Sequence, residues 1–150
     1  MSWFSIRNIP PAALQLGMAG AMPFAFLAIL VFVAEFAALL LLYYASIIMA
    51  FMGGIHWGVA MGQNANTFSR FGISVVPAIV GTTTLIVGGY IGFLMLATAF
   101  CLLLAYDLFA VRQGNAPTWY PNLRIPLTLI VVVSLLLAAS SLEYPTSFAN

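Results

Sequence analysis

From Met18 to Met61 the chain runs for about 44 residues in which only Glu35 and His56 interrupt an apolar stretch. As one helix, at about 1.5 Å per residue, this run would reach roughly 66 Å, twice a hydrocarbon core of about 30 Å. It must therefore reverse inside the membrane layer. A lipid-exposed backbone has to satisfy its own hydrogen bonds, which leaves helices or a closed barrel. The run lacks the two-residue alternation of barrel strands, so it is helical. Glu35, the only acidic residue in the run and close to its middle, marks the reversal and gives helices over 13–34 and 37–62.

Composition agrees with lipid as the solvent. Charged residues are 5% of the 150, against about 25% in a typical soluble chain, and hydrophobic residues are 64%. Four basic and three acidic residues cannot coat a soluble domain of this size. A net charge of +1 excludes the basic patch that a nucleic-acid partner would need. A single cysteine, Cys101, excludes an internal disulfide and any multi-cysteine metal site.

Beyond Met61, Gly62-Gln63-Asn64-Ala65-Asn66 is a polar break, followed by an apolar segment from Phe71 to Gly88. Gly88-Gly89 forms the next turn, and Ile91 to Val111 is the fourth span. Residues 112–125 are the long polar stretch, with Pro117, Pro121 and then Pro126 predicting no helix before Pro126. Pro126 to Leu142 makes a short fifth span. The expected fold is all-α: one membrane domain over 1–150, an up-down bundle of five transmembrane helices. Five spans put Arg7, Arg70, Arg112 and Arg124 on one side, with Glu35 and Glu143 on the other. By the positive-inside rule the N-terminus is then in the cytoplasm or matrix and the C-terminus outside. Met1 to Pro11, carrying Trp3, Phe4 and Arg7, is expected to be an interfacial anchor, with no cleavable signal pattern.

Two ionisable residues lie inside helices near the arginine side. His56 is six residues before Gly62 and Asp107 five before Arg112, so both lie about 7–9 Å inside the helix ends. Ionisable groups within a membrane are costly, and they mark sites unless they are paired. The spacing predicts that His56 and Asp107 face each other at one depth, with Arg124 or Arg70 as the compensating cation. Around His56, Gly54, Gly58 and Gly62 recur every four residues. That spacing predicts close helix packing on a central second helix, or room for a flat ligand against His56 and Trp57. Trp119 and Tyr120 suit the headgroup layer, and their loop converges with Arg70, Asp107 and His56 on one end of the bundle.

Gly53-Gly54-Ile55-His56-Trp57-Gly58-Val59-Ala60-Met61, Ser74-Val75-Val76-Pro77, Tyr106-Asp107 and Trp119-Tyr120-Pro121-Asn122-Leu123-Arg124-Ile125-Pro126-Leu127-Thr128 stand in this order along the chain. Together they resemble the domain-of-unknown-function 3429 family, over about Gly17 to Leu137. The resemblance implies a polytopic protein of the bacterial or mitochondrial inner membrane, and it brings no activity with it.

Enzyme readings fare poorly: His56 is the sole histidine, and no serine carries a hydrolase elbow around it. A zinc or bis-histidine haem site would need ligands from a second chain. The expectation is a non-catalytic membrane protein, without a required cofactor or metal. It contacts lipid and serves as an accessory subunit or assembly factor packed against a larger respiratory or photosynthetic complex. The alternative is a protein that binds or moves a quinone, lipid or tetrapyrrole at the His56 end.

Overall fold

The computed structural model describes residues 9–62 and 68–143. The expected anchor at Trp3, Phe4 and Arg7 and most of the Gly62–Asn66 break lie outside the described residues. Five helices follow in order: α1 Pro11–Leu30, α2 Glu35–Gly62, α3 Phe68–Val87, α4 Gly89–Arg112 and α5 Tyr120–Glu143. Each is long and apolar enough to cross a membrane, and large side chains such as Leu16, Ile86 and Leu102 project outward from the bundle. The chain is a multi-pass membrane protein.

The first reversal is earlier and longer than expected, four residues instead of two. α1 stops at Leu30, and residues 31–34 turn the chain while Leu30 O accepts from the amides of Val33 and Ala34 at 3.0 and 2.9 Å. Glu35 is then the first residue of α2 rather than the turn itself, placing an acidic group at the positive end of the helix dipole. The α3–α4 turn shrinks to Gly88, and Gly88 and Gly89 have φ of 63° and 54°, a region that side chains with a Cβ avoid.

The largest difference lies in α5, which begins at Tyr120, six residues before the expected Pro126. Pro121 falls in the first turn, where an amide has no partner within the helix and a proline loses nothing. Pro126 sits inside the helix, as Pro23 does in α1 and Pro77 in α3. Membrane helices tolerate such breaks because neighbouring helices and local adjustment re-satisfy the freed carbonyl.

α2 is the central helix: it packs against the other four and has the largest buried share of any span, 44%. The glycines expected to account for this do not. At Gly54, Gly58 and Gly62 an added Cβ would meet nothing within 4 Å, so this stripe faces away from the bundle. The close approach is one residue away, at Gly53, where a Cβ would collide with the carbonyl oxygen of Ser74. Helix rotation explains the correction, since neighbouring positions differ by about 100° around a helix and the two glycines cannot share a face.

Opposite Gly53, α3 buries Ser74, Pro77, Gly81 and Thr84, a run of small residues three and four apart. A Cβ at Gly81 would stand 2.7 Å from Ser46 O. Ser46 Oγ lies 3.1 Å from Thr84 Oγ1, and each hydroxyl is also in range of a carbonyl of its own helix. Small surfaces with a hydroxyl pair are the usual adhesive between membrane helices. On the other side of α2, Phe24 stands edge-on to Tyr44 and Phe100 at 5.0 and 6.3 Å, and the Tyr44 hydroxyl donates to Gly20 O at 2.9 Å. These contacts tie α1 to α2 and α4 at mid-bundle.

Candidate functional site

The up-down order brings the end of α2, the end of α4 and the start of α5 to the same end of the bundle. His56 is six residues before the last residue of α2 and Asp107 five before the last of α4. The two therefore meet at one level. Asp107 is 1% exposed, and its carboxylate is gripped from two sides. Arg124 Nε donates to Oδ2 at 2.7 Å, a short charge-assisted bond, and His56 Nε2 approaches Oδ1 to 3.1 Å. The histidine contact is close but poorly aligned, so His56 Nε2 and Asp107 Oδ1 make no directed hydrogen bond.

Arg124 carries five donors, and the protein engages few of them. Besides Nε, its Nη1 reaches the Met52 sulfur at 3.6 Å, a weak acceptor, while Nη2 is buried without a partner among the described residues. Thr128 Oγ1 is in the same condition, while the Tyr120 hydroxyl lies beside the Asp107 carboxylate. Tyr120, Arg124 and Thr128 are spaced four apart, so they form one stripe on α5, just as Met52 and His56 share a face of α2. Tyr106 supports the His56 ring edge-on at 5.0 Å.

Two cavities flank this cluster. A polar one of about 70 Å³ is lined by His56, Arg70, Tyr106, Gln113 and Asn115, at the end of the bundle. An apolar one of about 140 Å³ lies between α1, α2 and α5 and is lined by Arg124 and Thr128 among hydrophobic residues. The cluster thus stands between a pocket of mixed polarity on the His56 side and an apolar one on the Arg124 side.

Of the residues singled out by sequence, the structure brings His56, Asp107 and Arg124 into contact, with Arg124 rather than Arg70 as the cation. Arg70 instead lines the polar cavity. Trp57 points elsewhere: it is 44% exposed and packs edge-on against Phe71 of α3 at 4.8 Å. Trp119 stands edge-on to Tyr120 at 6.1 Å and lines neither cavity. Thr128 and the Tyr120 hydroxyl were not anticipated. Their four-residue spacing with Arg124 is the signal that finds them, once the helix is taken to start at Tyr120.

The family described as "Protein of unknown function (DUF3429)" matches residues 9–140. The chain belongs to that family. The match takes in all of α1 to α4, most of α5 and every residue of the polar cluster. A similar protein is Transmembrane protein 69 of Xenopus tropicalis, 30% identical over 141 residues, covering 87% of this chain and 54% of that protein. The chain thus spans about half the length of this relative. No solved structure matches.

Proposed function

We propose that the chain is a non-catalytic membrane protein that binds a small amphiphilic molecule at the His56–Asp107–Arg124 cluster. The observation that carries this reading is the pair of buried polar atoms Arg124 Nη2 and Thr128 Oγ1, which have no partner among the described residues. Each such atom costs about 1–3 kcal/mol when nothing answers it. A purely structural clamp would satisfy them, whereas a binding site keeps them for its ligand. Catalysis is not needed to explain the arrangement, because the one histidine faces a carboxylate already held by arginine.

Arg70, Arg112 and Arg124 belong to the same end of the bundle, which supports placing that end toward the cytoplasm or matrix, in a bacterial or mitochondrial inner membrane. The printed name of the Xenopus tropicalis relative, a transmembrane protein, agrees with membrane residence alone.

The test is to purify the chain in mild detergent and identify what it retains by mass spectrometry. The parent is expected to carry a stoichiometric small molecule, and His56→Ala to lose it at unchanged thermal stability. If both carry the same bulk lipid, the binding reading fails.

A second reading has one observation of its own. The outward stripe of Gly54, Gly58 and Gly62 leaves a smooth face where a helix of another protein could pack closely. That favours an accessory subunit or assembly factor of a larger membrane complex. Migration of the chain with a large complex on a native gel, lost in Gly58→Leu, is its expected signature.

A further inference from the structure

The apolar cavity combines a hydrophobic lining with two nearly buried polar residues, Arg124 and Thr128. Arg124 is 6% exposed and Thr128 3%, yet Arg124 Nη2 and Thr128 Oγ1 have no partner among the described residues. Around them the lining is hydrophobic, mostly aliphatic, and includes Phe24, Phe51 and Phe100. Leu16 and Phe51, 74% and 63% exposed, form its rim, so the cavity opens to the lipid side of the bundle. Its volume of about 140 Å³ is close to that of an engineered apolar cavity of about 150 Å³ that admits one benzene ring.

These features specify the ligand. Arg124 offers donors, and the residue has no use for an anion because Asp107 already neutralises its charge. The matching group is therefore a neutral acceptor. A single ring suits the volume and the phenylalanine walls, and the open rim lets an alkyl tail continue into lipid. We propose that this cavity binds the head of a membrane quinone, a neutral cyclic dione, with one carbonyl oxygen accepting from Arg124 and Thr128. This rests on the binding reading above and adds to it the class of ligand and the wall it uses.

Gly20 makes the proposal testable without touching the polar cluster. It lines the cavity, and a Cβ placed there meets nothing within 4 Å, so a larger side chain enters empty space. Its carbonyl, which accepts from Tyr44, is retained by any substitution. The experiment measures binding of decyl-benzoquinone to the full chain in lipid nanodiscs. Decylbenzene and a diacylglycerol, the second source of carbonyls in a membrane, serve as comparisons.

The quinone is expected to bind saturably and decylbenzene not. Gly20→Leu should abolish binding at an unchanged melting temperature, and Thr128→Val, which removes a hydroxyl from nearly the same shape, should weaken it about tenfold. If diacylglycerol binds at the Gly20 cavity and the quinone does not, the ligand class is overturned and the binding reading stands. Should neither bind, and Gly20→Leu leave the retained small molecules unchanged, both are overturned.

Discussion

Asp107 is the residue on which the cluster depends, because a carboxylate 1% exposed in a membrane helix survives only beside a cation. Arg124 supplies that cation at 2.7 Å, and His56 stands at 3.1 Å on the other side of the carboxylate. Asp107→Asn keeps the shape and an oxygen acceptor for Arg124, so it should lower stability by about 1–2 kcal/mol. Asp107→Leu leaves a buried guanidinium unpaired and should destabilise the bundle by about 3–5 kcal/mol. Thermal unfolding of the purified variants, followed by circular dichroism, separates the two, and equal effects would mean that the neutral acceptor kept by Asn does not answer Arg124.

Among the elements, α2 and α3 show where small residues matter. The sequence pattern drew attention to Gly54, Gly58 and Gly62 because they repeat every four residues, yet the interface runs through Gly53, Ser46 and the α3 row Ser74, Pro77, Gly81 and Thr84. Gly53→Leu should therefore prevent stable folding by driving a side chain into the Ser74 carbonyl, whereas Gly58→Leu should fold like the parent. Expression and monodispersity in detergent check the pair, and the reverse outcome would show that α2 is rotated from the orientation described. Much of the fold was legible, because span number and order follow from runs of apolar residues and their polar breaks. Rotation about a helix axis was not, since an all-apolar helix carries no amphipathic signal to choose between Gly53 and Gly54. The start of α5 was missed for another reason: Pro121 and Pro126 look like helix breakers, although the first turn and a membrane setting accept them. That error hid the Tyr120–Arg124–Thr128 stripe, while His56 and Asp107 were found by depth alone.

At the scale of the whole molecule, the bundle is asymmetric: its described arginines belong to one end and Glu35 to the other. By the positive-inside rule we propose that the arginine-bearing end faces the cytoplasm or matrix. A Thr118→Cys, Cys101→Ser variant should resist a membrane-impermeant thiol reagent in intact bacterial cells and react after permeabilisation. Labelling in intact cells would invert the topology. We propose that the His56–Asp107–Arg124 cluster is kept for a ligand and not for the fold. Replacing the ion pair by apolar residues, Asp107→Leu with Arg124→Met, tests it most directly, because a buried pair retained only for function contributes little net stability. The account predicts that the double variant melts at or above the parent temperature, well above Asp107→Leu alone, and no longer retains its small molecule. A double variant as unstable as the single one, or one that keeps the bound molecule, would contradict it.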